Sequence, residues 1–218
     1  MDRDEAPGED VATTASRDAK GVDPPAPPPA RLEWARPVRL EPPVDRILRV
    51  VLVGFMGAGK SAVGRRLARF LNWRFADMDR EIVAREERSV ARIFQEEGEA
   101  FFREVEHRTA LSLLGEEHMV ISTGGGWPCR EDRLESLDQM TLAVWLVVSA
   151  EAAVERISAS RTRRPLLEVA DPLARARALL EVREPYYALA HWHIRTEGRS
   201  SSSIAREIAG RIGGGSPA

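Results

Sequence analysis

Between residues 54 and 61 the chain reads GFMGAGKS, with Gly54, Gly59, Lys60 and Ser61 at the fixed positions of the pattern G-x-x-x-x-G-K-[ST]. Each residue type has a chemical reason to stand there. Glycines let the backbone curl until successive N–H groups point inward at phosphate oxygens. Lysine sets a compact charge beside the β- and γ-phosphates, and the serine hydroxyl suits Mg²⁺. An apolar run, ILRVVLV (47–53), precedes the pattern, and Val63, Leu67, Phe70 and Leu71 follow it on one helical face. A loop between a strand and a helix is the context the pattern requires, and the helix N-terminus adds a positive dipole. The stretch implies a bound nucleoside triphosphate whose γ-phosphoryl group is moved. Lysine usage agrees: only Lys20 and Lys60 are lysines among 32 basic residues, so the one lysine after residue 20 lies inside the glycine loop. A point charge on a flexible stem is not interchangeable with a planar guanidinium.

Four further clusters bear on the acceptor. FADMD (75–79) sets Asp77 and Asp79 two apart at the end of a short strand. One carboxylate suits a Mg²⁺ shell and the other an acceptor hydroxyl; a helix cap would explain only one of them. GEAFFREVE (98–106) puts Arg103 and Glu106 on one helical face, a spacing that a surface ion pair also explains. STGGGW (122–127) places Gly124, Gly125 and Gly126 directly after a buried strand, more glycine than a turn needs, which points to close approach of backbone to a ligand. RTRRPLL (161–167) gathers Arg161, Arg163 and Arg164 in a loop, followed by Arg183 in REPYY. Such a loop suits a lid that brings charge to a transferring phosphoryl group, or it is a solvated basic loop.

These residues need a scaffold that brings distant segments to one edge. From Ile47 onward apolar runs alternate with helical patterns. Strands are expected at 47–53, 73–77, 118–123, 141–148 and 191–195. Helices are expected over 60–71, REIVAREE, SVARIFQEEG, AFFREVEHRTALSLL, 131–139, 151–159, from after the Arg-rich loop to about 184, and from about Ser203. TLAVWLVV (141–148) is apolar throughout, as in strands buried on both faces of a parallel sheet. The fold class is therefore α/β, a three-layer sandwich on a five-stranded parallel sheet. Residues 1–45 differ in texture: they hold 9 of the 14 prolines, with 10 acidic and 6 basic residues, and are expected to be a disordered or extended acidic appendage to a domain spanning 46–214.

Bulk properties narrow the class. A net charge of −2 gives no general attraction to nucleic acid or to anionic membrane. A single cysteine, Cys129, allows no internal disulfide and fits a reducing compartment. No apolar run reaches membrane-spanning length, and the acidic start MDRDEAPGED has no apolar segment of a secretory signal. The expectation is a cytoplasmic protein acting on a small molecule, with a monomer the expected state. His191 and His193, on one face of a strand, are read as a satisfied structural pair rather than metal ligands, and Cys129 as a plain thiol.

Taken together and in this order, GFMGAGKS, DMD, IFQEEGEAFFREVE, STGGG, RTRRPLL and REPYY resemble the shikimate kinase family of small P-loop kinases, over about residues 49–212. The resemblance implies a P-loop NTPase-type fold and transfer of the ATP γ-phosphate to the 3-hydroxyl of shikimate, on the route to aromatic amino acids. It implies that Lys60 and the loop residues Gly57, Ala58, Gly59, Ser61 and Ala62 hold the phosphates. Ser61 would ligate Mg²⁺, with Asp77 reaching the metal. Asp79 would hydrogen-bond shikimate hydroxyls and accept the reacting proton. Arg103 and Arg183 would clamp the carboxylate bidentately, and Gly124, Gly125 and Gly126 would bring backbone N–H groups to the substrate. Arg164 would be the lid arginine near the phosphoryl group, and Arg161 would lie near the adenine. Trp127 is bulkier than the small residue usual there and is expected to press on the site. Gluconate-like and nucleoside-monophosphate kinases share only the ATP half of this pattern, and a catalytically silent kinase-like domain is the remaining alternative.

Overall fold

The computed structural model of the chain describes residues 42–43, 46–130, 132–160, 165–167 and 169–213. The expected extension over 1–45 and Arg161, Arg163 and Arg164 of the Arg-rich loop lie outside these residues, apart from 42–43 in the extension. Five strands form one sheet: β1 (Arg49–Val53), β2 (Arg74–Asp77), β3 (Met119–Ser122), β4 (Thr141–Val147) and β5 (Trp192–Arg195). The order is β2-β3-β1-β4-β5, parallel throughout, with β1 central between β3 and β4. The helices are α1 (Lys60–Leu71), α2 (Met78–Glu86), α3 (Val90–Leu114), α4 (Ala150–Ser158), α5 (Pro172–Tyr187) and α6 (Ser201–Gly213), with a short 3₁₀ turn at Pro165–Leu167.

All five residues of β1 are buried because the sheet is covered on both faces. Val50 and Leu52 face a core shared with Val63 and Leu67 of α1, Leu180 and Tyr187 of α5, and Ile204 and Ile208 of α6. Val51 and Val53 face the opposite core, with Met78, Ala110 and Leu113. Gly64 lets α1 lie close on the sheet: a Cβ there would come within 2.5 Å of the Phe75 ring. A third cluster, Ile82, Ile93, Phe102 and Val105, joins α2 to α3.

Register then fixes the functional edge. Leu52 is paired with Ser122 and Ser122 with Asp77, so β1, β2 and β3 end side by side. The loops after them, carrying GFMGAGKS, DMD and GGG, leave the same carboxyl edge, where open α/β sheets bind ligands. No described helix is long and apolar enough to cross a membrane.

Two expectations are corrected. Residues 132–139 form turns instead of a helix. Asp132 stands at φ 63°, which stops helical propagation, while Leu134 and Leu137 tie the segment to the core. Second, α5 does not stop near residue 184 but continues through Pro185 to Tyr187. The proline removes one helical donor, and burial of Tyr186 and Tyr187 holds the last turn. The two helices read between 89 and 114 are both present, joined at a kink at Gly98, whose φ of 82° and ψ of −179° are not helical.

Candidate active site

The glycine loop starts at the end of β1 and closes on the N-terminus of α1. Gly57, at φ 79°, has no room for a side chain, since a Cβ would meet the Ala153 carbonyl oxygen at 2.9 Å. Gly59, at φ 88°, is the left-handed residue from which α1 begins, and no side-chain cap covers the helix's first amides. Lys60 Nζ donates to the carbonyls of Gly54 (2.7 Å) and Phe55 (3.1 Å), which places the ammonium over the start of its own loop. Backbone amides, dipole and ammonium converge as in an anion cradle.

Ser61 lies on the first turn of α1 and its hydroxyl donates to Asp77 Oδ2 at 2.5 Å. Ser122 Oγ stands 3.4 Å from the same hydroxyl. The result is a compact set of hard oxygen donors beside the phosphate cradle, with one carboxylate, which is the donor chemistry Mg²⁺ uses when phosphates complete its shell. The described residues hold no group of three or more His, Cys, Asp or Glu fit to hold a metal alone.

The acceptor side is built around Gly124–Gly126, against which three separated segments pack. A Cβ on Gly124 would meet Glu106 Oε1 at 2.8 Å and Asp79 Oδ1 at 3.2 Å; one on Gly126 would meet the Arg103 guanidinium at 3.0–3.4 Å; one on Gly125 would lie 3.5 Å from Arg183 Nη1. Glycine is required here by proximity. Asp77 is the N-cap residue of α2 without a side-chain capping bond, and Asp79 lies in the helix's first turn. The Arg103–Glu106 pair forms, at 2.8 Å, but it is no surface pair: its side chains are 17% and 4% exposed. Arg103 also donates through Nε and Nη2 to Glu99 at 3.1 Å. Burial pushes the Glu106 carboxyl above the ordinary range, with Arg103 opposing and Asp79 adding to the rise. Burial alone would lower the Arg103 guanidinium, but Glu106 and Glu99 outweigh it and hold the charge firmly. Arg183 is 6% exposed, and its Nε has no hydrogen-bond partner among the described residues. The guanidinium engages Tyr187, and its unpaired Nε leaves one donor unsatisfied in the interior.

The two halves meet at one point. Gly125 lies within 3.7 Å of the Gly54 carbonyl oxygen, measured from the Cβ it lacks, and that oxygen is the one Lys60 engages. Arg103 and Lys60 thus flank a continuous line of contacts along the sheet edge. With this geometry in place, comparison with known proteins decides the family: the shikimate kinase model matches residues 56–212. The chain belongs to the shikimate kinase family. The shikimate kinase of Thermus thermophilus is 39% identical over 183 residues, covering 84% of this chain and 95% of its own. That of Moorella thermoacetica is 43% identical over 159 residues, 73% of this chain and 91% of its own. Among solved structures, Acinetobacter baumannii shikimate kinase in complex with shikimate superposes with a TM-score of 0.72 at 34% identity, over 79% of this chain and 98% of that one.

Membership in this family also frames what sequence reasoning missed. Beside the glycine loop is a cleft of about 190 Å³ lined by Gly57, Val63, Arg156, Thr196, Arg199 and Ser201. Arg156 donates to the Gly57 carbonyl at 3.2 Å and to Thr196 Oγ1 at 2.9 Å, so α4 is fastened to both walls. Nothing in VERIS marks this arginine, because its partners lie 99 and 40 residues away. Trp127 does not crowd the glycine turn. Its ring is 4% exposed and lies in the core with Met78 and Ile121. His191 accepts a bond from the Ala143 amide, and His193 Nε2 lies within 3.2 Å of the Ala188 and Ala190 carbonyls, both structural roles.

Proposed function

We propose that the chain transfers the γ-phosphoryl group of ATP to the 3-hydroxyl of shikimate. Family membership supplies the class of reaction, and one observation supports the acceptor: Asp79, Arg103 and Arg183 converge on a glycine turn that abuts the Lys60 loop. Residues 46–214 are the catalytic unit, and 1–45 an appended extension. A cytoplasmic monomer without nucleic-acid or membrane partners is the matching cellular form.

In this reading Gly57–Ala62 and Lys60 hold the triphosphate. Ser61 and Asp77 take the Mg²⁺, which supplies charge neutralisation of the phosphate oxygens when bound. The cleft lined by Arg156 and Arg199 takes the nucleoside end. Arg103 and Arg183 bind the ring carboxylate with planar forks that fix its orientation. Asp79 orients the hydroxyls and receives the proton of the one that attacks. Amides of Gly124–Gly126 hold the substrate from the sheet side. Arg164 brings its charge to the transferring group, and Arg161 stands near the adenine. Phosphoryl transfer asks little covalent chemistry of a protein, so positioning and preorganised charge carry the rate. The test is ADP release from ATP and Mg²⁺ on adding shikimate, with gluconate and nucleoside monophosphates as competitors. Shikimate-dependent turnover is expected; nucleotide binding with no acceptor-dependent turnover contradicts the reading and favours a silent domain.

A further inference from the structure

The three glycine carbonyls of the acceptor turn are all hydrogen-bonded, but not by equivalent partners. Gly124 O accepts from the Trp127 amide at 3.3 Å and Gly126 O from the Cys129 amide at 3.1 Å, both local bonds of the turn. Gly125 O instead accepts from the hydroxyl of Tyr187 at 2.5 Å, 62 residues away, with Cys129 Sγ at 3.7 Å as a weak second donor. None of the Gly124, Gly125 or Gly126 amides donates a backbone hydrogen bond among the described residues. A peptide flanked by two glycines has almost no steric preference to hold its orientation. In a trans peptide the carbonyl and the following N–H point opposite ways, so fixing Gly125 O toward Tyr187 turns the Gly126 N–H away from the core. Gly126 is the residue against which the Arg103 guanidinium rests.

Tyr187 is placed to act as a rigid anchor. It is fully buried, its ring lies 5.9 Å from Trp145, and it sits one turn after Arg183 on α5. The last turn of α5, extended past Pro185, therefore carries both Arg183 and the donor that holds the glycine peptide. We propose that Tyr187 is a positioning residue for the acceptor: its hydroxyl locks the Gly125–Gly126 peptide so that the Gly126 amide and Arg103 present one fixed surface to the substrate. Its effect on turnover rests on the proposed shikimate reading, whereas the lock itself does not.

The test is Tyr187→Phe, which removes one oxygen and keeps the ring. The shikimate KM should rise about five- to tenfold, the loss of one well-placed hydrogen bond, while the ATP KM stays within about twofold. Leu179→Ala, a core truncation in the same helix, serves as the control for loosened packing: it should lower Tm and leave the shikimate KM in place. Amide exchange by NMR reads the lock without substrate. In Tyr187→Phe the Trp127 and Cys129 amides, which donate to Gly124 O and Gly126 O, should exchange roughly tenfold faster, with the change confined to residues 124–129. In the wild-type protein the Tyr187 hydroxyl proton should exchange slowly, a measurement that needs no variant. A rapidly exchanging hydroxyl, or a shikimate KM and Trp127 and Cys129 exchange unaltered by Tyr187→Phe, overturns the proposal. Wild-type protein that does not turn over shikimate removes the functional reading alone, and the exchange data still decide whether the lock exists.

Discussion

The phosphate end and the acceptor end of the site are built by opposite means. The first is contiguous: residues 54–62 form a loop whose amides, ammonium and helix terminus come from one short segment. The second is assembled: α2 contributes Asp79, α3 contributes Arg103 and Glu106, β3 runs into the glycine turn, and α5 contributes Arg183, over a span of 105 residues from Asp79 to Arg183. The contiguous end is made mostly of backbone and is general for phosphates. The assembled end is made of buried and part-buried side chains whose charges balance one another, and it is specific. It follows that damage at the first end should reach the rate, and damage at the second should reach acceptor affinity.

The largest effect is expected at Lys60. Lys60→Ala should lower kcat on the order of 10²–10³-fold, as when one preorganised charge-stabilising donor is lost. Shikimate binding measured by calorimetry should persist. A variant that loses shikimate binding and turnover together would show that the two ends are not separate. Next, Arg103→Ala should raise the shikimate KM by roughly 10–100-fold, the range for a charge-assisted bond to a carboxylate, with the ATP KM little changed. Arg103→Lys should recover only part of this, since an ammonium cannot reproduce the fork. A normal shikimate KM in Arg103→Ala breaks the comparison.

How much of this was legible depends on which end is considered. The loop at 54–61 could be read outright because its residues are sequence neighbours and each type has a local reason. The Asp77–Asp79 spacing already pointed to a metal and an acceptor, but Arg103 and Arg183 took their roles only through resemblance, since a helical Arg with Glu three residues on reads as a surface pair. Burial made the difference: Glu106 is 3% exposed, a fact set by the packing of α3 on the glycine turn. Arg156 left no local trace for the same reason, and Tyr187, though it closes the REPYY motif, showed no role, because their partners lie 40 or more residues away. The failed helix over 131–139 was a local error. Its apolar spacing is helical, but Asp132 takes a left-handed conformation and the segment is held by two leucines.

Smaller effects sharpen the picture of the acceptor end. The folded-state value of Glu106 lies above its ordinary value of 4.5, raised first by burial. The folded state therefore binds the proton more tightly than the unfolded one, so this group's stabilisation is complete below that ordinary value and is lost as pH rises through the raised one. Glu106→Gln should flatten that part of the stability–pH curve, measured by urea unfolding at a series of pH values; an unchanged slope contradicts the assignment. Smallest of all is the thiol beneath the turn. Burial pushes Cys129 up to about 11 from an ordinary 9.0, so its thiolate is about a hundredfold scarcer at pH 8 than that of a free cysteine. Native protein should resist iodoacetamide by about that factor and react readily once unfolded. Fast labelling of the native form would mean that the turn opens.

The central claim is that a carboxylate clamp faces the phosphate cradle across one sheet edge. It is tested most directly by comparing kcat/KM for shikimate with kcat/KM for its carboxamide, which keeps the ring and hydroxyls but removes the negative charge. Two guanidinium groups, Arg183 buried and Arg103 part-buried, predict a preference for the acid of about 100-fold or more. Parity between acid and amide, or turnover with neither, contradicts the account.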